Sequence, residues 1–299
     1  MLTWAFSQFS NYLVQDFSLS LESKKTTCKF AFLLVEFLTH STEPTLKTMM
    51  QTNSREAQPL LFWVADFLNL VNNLMATGEC DLVSGLGAEL GKLCLFAFEL
   101  KLEQRDYKRV LACAGQLCQN DKICTELVEK GLLKGISKGL SMKSEVKEVA
   151  LYALSNVPQS SPECLDAVLE ADFLPRLLQL LKSGVINVEV EAAYALTNLL
   201  KATSSDQLVT ILENYQVEES LVSQIKNPKA STSVKLMLQA WQLIFKLKDD
   251  IIMKRFECSG GLTALEALQE YGNEEVARMA QELLVQNFEI EKTEQISID

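Results

Sequence analysis

Five residues from Tyr152 to Asn156, YALSN, return 42 positions later as YALTN from Tyr194 to Asn198. A word repeated at that interval constrains the fold strongly, because it marks units of two or three helices that cannot bury their own faces and must stack on one another. A second element recurs independently of the first. The runs LVEKGLLKGISKGL from Leu127, VLEADFLPRLLQLL from Val168, ILENYQVEESLVSQI from Ile211 and FECSGGLTALEAL from Phe256 each set an apolar residue before a Glu, then a short break, then a Leu-rich segment. Their glutamates, Glu129, Glu170, Glu213 and Glu257, are spaced by 41, 43 and 44 residues. Each unit is therefore expected to hold a short helix ending near that Glu, a turn and a second helix. A polar link such as SMKSE or SGVIN then leads to a longer third helix carrying the Tyr/Asn word.

Composition agrees with helices throughout. The chain has 299 residues, 48% of them hydrophobic, with only 12 Gly and 6 Pro, and no stretch alternates polar and apolar residues for long. An all-α fold with a large core follows. The net charge of −11 argues against nucleic acid as a partner, since phosphate binding needs concentrated Lys and Arg. It favours a basic one. No positive segment precedes the apolar residues of MLTWAFSQFSNYL, so the start does not read as a signal peptide, and no apolar run reaches membrane-spanning length. Eight cysteines lie scattered in helical context without paired spacing. They read as reduced core residues, with Cys113, Cys118 and Cys124 set apart from any zinc pattern. His40 has no second His or Cys pair nearby, and a structural or surface role is expected for it.

Tyr152 and Asn156, like Tyr194 and Asn198, are four residues apart and share a helical face. Glu148 stands four residues before Tyr152, and Glu191 three before Tyr194, so each ring has a carboxylate beside it. An Asn amide both donates to and accepts from the main chain of an extended peptide without reading its sequence. Rings between successive asparagines make slots for the aliphatic stems of Lys or Arg and attract their cationic heads. The simpler account is a packing Tyr and a helix-internal Asn. Asn is a poor helix former that gains nothing on a buried face without a partner, and its recurrence at one register favours a ligand. The glutamates are weaker candidates, because exposed helix glutamates are usually solvated.

The stretch from about Asp121 to Glu289 resembles the C-terminal armadillo repeats of importin α (karyopherin α), the adaptor that recognises nuclear localisation signals. That family's third helix carries Trp-x-x-x-Asn, often as EAAWALTN, and here EAAYALTN runs from Glu191 to Asn198. LDAVLEADFLPRLLQLL from Leu165 is similar to its seventh-to-eighth repeat junction. The long run from Phe256 to Phe288, with its Gly-Gly-Leu, EALQ and NEEV, is similar to its last repeat. The resemblance implies an all-α, right-handed superhelical armadillo-repeat solenoid. It puts Tyr152 and Asn156 at the aromatic and Asn positions of the seventh repeat and Tyr194 and Asn198 at those of the eighth. Glu191 falls on an acidic residue that contacts basic side chains. Ser155 and Thr197 lie between the ring and the amide on the same helices. The sixth repeat is matched to VLACAGQLCQNDK, with Ala112 before the turn and Gln116 at the Asn position. Together these residues, with Glu148, would form the family's minor signal-binding site, with a smaller stacking face and a reduced affinity for Lys stems where Tyr replaces Trp.

Three segments are expected: divergent helical repeats over 1–104, armadillo repeats six to ten over 105–289, and a short disordered acidic tail over 290–299. In the first, Trp4 with Gln8 and Trp63 with Phe67 stand where Trp and Asn belong, and no Arg-rich importin-β-binding arm precedes them. Trp241 reads as core, since no Asn follows it at the spacing of the word. No nucleophile with its base, phosphate-cradling glycine loop or carboxylate pair emerges, so neither catalysis nor a cofactor or metal is expected. The resemblance implies an adaptor shuttling between cytoplasm and nucleus, with Lys/Arg-rich cargo signals as ligands and importin β and the importin α export receptor as further partners. The competing expectation is an armadillo scaffold that has lost signal binding and docks helices or whole domains.

Overall fold

The computed structural model describes residues 87–288, and all the secondary structure among them is helical. The chain divides into two compact units, Met1–Val168 and Leu169–Asp299, each taken by itself below. His40, Trp4, Gln8, Trp63, Phe67, Cys28, Cys80 and the 290–299 tail lie outside the described residues.

The first unit contains α1 (Gly87–Glu99), α2 (Gln104–Leu117), α3 (Asp121–Glu129), α4 (Leu132–Leu140) and α5 (Ser144–Asn156), and most of α6 (Pro162–Glu170). Helix α3 starts under an N-cap, with Asn120 accepting from the Ile123 N–H, and ends at Glu129. Gly131 follows in the left-handed region (φ 103°) and turns the chain into α4. Only a residue without Cβ adopts that conformation freely. Among the described residues of this unit the core is aliphatic around Phe98 and Tyr107, whose ring centroids lie 5.3 Å apart. Tyr107 is fully buried, its hydroxyl donates to the Gly135 carbonyl at 2.8 Å, and its ring lies 4.8 Å from Lys138 Nζ. Burial raises the Tyr107 phenol well above its usual range, so it remains a donor at any physiological pH.

The second unit holds α7 (Phe173–Leu180), α8 (Ile186–Ala202), α9 (Ser205–Asn214), α10 (Val217–Lys226), α11 (Ser231–Phe245), α12 (Asp250–Cys258), α13 (Gly261–Leu268) and α14 (Glu274–Asn287). The predicted unit is thus present: a first helix ending at or one residue after each repeated Glu, a short second helix and a longer third helix, with the Tyr/Asn word on α5 and α8. Pro175 sits in the first turn of α7, where its missing N–H breaks no helical bond. A capping box between Ser204 and Gln207 starts α9, and Asp249 and Asn273 cap α12 and α14. Trp241, fully buried, packs its ring edge-on against Phe256 at 4.4 Å between centroids and tilted against Phe245 at 5.1 Å. It is core, as expected.

Two buried polar side chains find partners beyond their own helices. Glu189, only 3% exposed at its side chain, pairs with Lys229 at 2.7 Å and accepts from the Gly184 N–H at 2.8 Å. Gln224 donates to the Leu181 carbonyl at 2.7 Å. Cys94, Cys113, Cys118, Cys124 and Cys164 are buried thiols, whereas Cys258 is exposed. The expectation of a core cysteine fails at Cys258 because it is the last residue of α12, on the solvent side of its helix end.

Candidate functional site

The sequence of α5 sets the face that carries Tyr152. Ala150, Leu151, Ala153, Leu154, Ser155 and Val157 are buried, which leaves Tyr152 and Asn156 half-buried at the helix surface, with Glu148 half-buried one turn before the ring. Helix α2 supplies the opposing wall. Its Gly115 lets the Tyr152 ring approach so closely that a Cβ there would lie 2.9 Å from the ring and 3.1 Å from the Ala153 Cα. Asn156 Nδ2 donates to the Gly115 carbonyl at 3.0 Å. The Tyr152 hydroxyl accepts from Gln119 Nε2 at 3.2 Å. Gln116, next to Gly115, is half-buried, so the first unit brings together Gln116, Gln119, Tyr152 and Asn156. Among the described residues the Asn156 amide oxygen and second N–H make no further hydrogen bond.

Ser155 is placed differently from the rest of the expected set. It is 5% exposed, and its hydroxyl donates to the Tyr152 carbonyl of its own helix at 2.8 Å, facing the core rather than an extended peptide. Its counterpart Thr197 is fully buried and donates to the Leu236 carbonyl at 3.2 Å, tying α8 to α11. At Thr197 the small hydroxyl between ring and amide thus fastens two helices together, whereas at Ser155 it closes back on its own helix.

In the second unit α8 repeats the pattern of α5. Ala192, Ala193, Ala195, Leu196, Thr197 and Leu199 are buried, Tyr194 is 39% exposed, and Asn198 and Glu191 are half-buried. Ile186 lies two turns before Tyr194 and is also exposed, extending an apolar stripe toward the helix start. On α11 the burial pattern recurs 41 residues on, with Leu236, Met237, Leu238 and Ala240 inside and Lys235 and Gln239 half-buried. Lys235 therefore occupies the register of Tyr194, and Gln239 that of Asn198. Lys235 pairs with Glu275 of α14 at 2.7 Å. Gln239 Oε1 accepts from Lys201 Nζ at 3.0 Å. Sequence reasoning missed these two positions because it counted from Trp241 instead of carrying the 41-residue interval on from Asn198. It missed Gln119 because nothing in the word marks the facing helix.

No group of three or more His, Cys, Asp or Glu among the described residues is placed to hold a metal ion. No helix among them is long and apolar enough to cross a membrane.

Residues 161–201 match the sequence model of the armadillo/beta-catenin-like repeat family. They correspond to α6, α7 and α8 with the links between them. Two solved structures are similar to the chain over most of their own length. One is the designed armadillo repeat protein YIII(Dq)4CqI, 23% identical, covering 81% of this chain and 98% of its own, with a TM-score of 0.64. The other is the designed armadillo repeat protein YIII(Dq.V1)4CPAF in complex with peptide (KR)4, also 23% identical, covering 82% and 98%, with a TM-score of 0.66. The triplets of helices, their period and these likenesses agree that the chain has the armadillo-repeat fold.

Proposed function

We propose that this chain is a nuclear import adaptor that holds Lys/Arg-rich nuclear localisation signals of cargo proteins in extended form. One observation carries the reading. Each unit presents a Tyr and an Asn four residues apart at the same register of a third helix, partly open to solvent, with a glutamate one turn before the ring. In the first unit Tyr152 and Asn156, flanked by Gln116 and Glu148, form one rung, and in the second Tyr194, Asn198 and Glu191 form another. The rings hold the aliphatic stems, the amides hold the peptide main chain, and the glutamates and the net charge of −11 attract the cationic heads. A structure of the same fold described as a complex with a (KR)4 peptide supports a basic ligand. By resemblance, importin β and the importin α export receptor are further partners, and the chain shuttles between cytoplasm and nucleus.

A second reading is favoured by a specific bond. One N–H of Asn156 is already given to the Gly115 carbonyl, which suits a scaffold whose asparagines fasten helices and whose partners are whole domains. Fluorescence anisotropy of a labelled Lys/Arg-rich signal peptide separates the two. Under the adaptor reading the wild type binds it, more weakly as salt rises, and Asn156→Ala with Asn198→Ala abolishes binding while thermal melting shows a folded chain. Absence of binding by a folded wild type establishes the scaffold.

A further inference from the structure

We propose that the groove between α8, α11 and α14 docks an extended acidic segment of a partner protein, at a place distinct from the Tyr/Asn rungs. This groove of about 470 Å³ opens to solvent over a floor that includes Leu238, Met279 and Leu283. Its polar rim carries Lys201, Lys246 and Arg278 against two carboxylates, Glu275 and Glu282. Both carboxylates are already engaged. Glu275 takes Lys235 at 2.7 Å, and that ammonium holds the Glu275 carboxyl below its usual range. Glu282 takes Arg278 at 2.7 Å.

The remaining cations are not matched. Lys201 meets only the neutral amide of Gln239, and Lys246 has no acidic partner among the described residues. Lys201 lies in the last turn of α8 and Lys246 caps the end of α11. The helix termini hold such cations with about half a unit charge each, which offsets Lys201 and Lys246 only in part and leaves both ammonium groups without a carboxylate in a chain whose total is −11. The Tyr/Asn register also changes here. Lys235 and Gln239 replace Tyr and Asn on α11, so no ring is there to hold a Lys stem. A basic peptide continued into this groove would set like charges side by side, whereas an acidic one pairs with Lys201 and Lys246. The glutamines Gln239, Gln242 and Gln286 along the rim are suited to its main chain, and the apolar floor to an aliphatic residue between its carboxylates.

The test uses the full chain and a fluorescein-labelled twelve-residue peptide alternating Glu and Leu, followed by anisotropy. The expected result is saturable binding, weakened at least about tenfold when Gln replaces Glu in the peptide and by a similar factor in Lys201→Glu/Lys246→Glu. Lys201→Gln/Lys246→Gln, which adds no charge at the helix ends, is expected to lose affinity in the same direction by a smaller factor. Lys122→Glu/Lys134→Glu, which makes the same change of net charge on exposed residues of the first unit, is expected to leave the affinity within about twofold. Equal affinity for the Glu and Gln peptides overturns the proposal, as does indifference of folded groove variants. Light scattering that finds a dimer lost in the groove variants, with no peptide bound, overturns it by assigning the groove to a second copy. Because the ligand is acidic, failure here is separate from failure of the basic-peptide reading.

Discussion

Tyr152 and its neighbours are held by the absence of a side chain at Gly115. A methyl group there would press on the Tyr152 ring and, at 3.1 Å, on the Ala153 Cα. A ring can move aside, but a helix backbone yields only by separating α2 from α5. Gly115→Ala is therefore expected to destabilise the chain by about 2 kcal/mol, the usual range for overpacking, and to strain the Asn156 bond to the Gly115 carbonyl. Urea unfolding followed by circular dichroism measures the first effect and weakened basic-peptide binding the second. Glu218 tests the opposite case, a buried charge held poorly. Its Oε1 lies 3.1 Å from Arg255 Nη2 without hydrogen-bond geometry, and burial raises its pKa despite that guanidinium. Folding thus favours the protonated form. The stability Glu218 contributes is present below its unfolded-state pKa and is lost as pH rises through the higher folded-state value. Glu218→Gln removes this titration, so the variant is expected to gain stability relative to the wild type as pH rises from 4 to 7. Urea midpoints at the two pH values check it, and a constant difference between the chains would remove Glu218 from the pH dependence.

At the scale of helices, the repeated glutamates made the first helices of each unit legible, because a break in the apolar pattern followed each one. The left-handed residues in those breaks were less legible, since Gly131 and Gly260 advertise a turn but Asp172, at φ 54°, does the same work with an ordinary side chain. Asp172 also accepts a hydrogen bond from the Tyr215 hydroxyl at 3.2 Å, a contact no local pattern contains. The third helices were legible wherever the Tyr/Asn word was spelled out. On α11 the word is gone, and only the burial pattern shows that Lys235 and Gln239 stand in its place. Ser155 marks the limit from the other side, because the word gives its position but only packing gives its direction, into the core. Gly131 offers a clean measure of what one turn costs. A Cβ there meets nothing nearer than Lys134 Cδ at 3.9 Å, so Gly131→Ala carries a backbone penalty with no steric one. A loss of about 1 kcal/mol is expected in urea unfolding, and Gly131→Asn is expected to recover part of it, since Asn tolerates the left-handed region better than Ala.

For the whole molecule, the decisive quantity is a charge of −11 carried by 39 acidic and 28 basic residues, set against one groove whose unmatched groups are positive. The long-range field and the local contacts then act in the same sense for a basic ligand and in opposite senses for an acidic one. Salt screens the first kind of interaction more than the second, because the Debye length of about 8 Å at physiological ionic strength exceeds the separation of groups in direct contact. Association of a Lys/Arg-rich peptide is therefore expected to slow by about tenfold or more between 20 mM and 300 mM salt, as long-range attraction is lost. For the Glu/Leu peptide, screening removes repulsion by the whole chain while weakening attraction by Lys201 and Lys246. Its association rate is expected to change by less than about threefold over the same range. Stopped-flow anisotropy on both peptides measures the contrast. A steep fall for both would mean that the cations of the groove govern approach from far beyond their own contacts. Matching flat profiles would mean that the net charge of the chain does not steer either ligand, and that affinity at both places rests on apolar packing around Tyr152, Tyr194 and Met279.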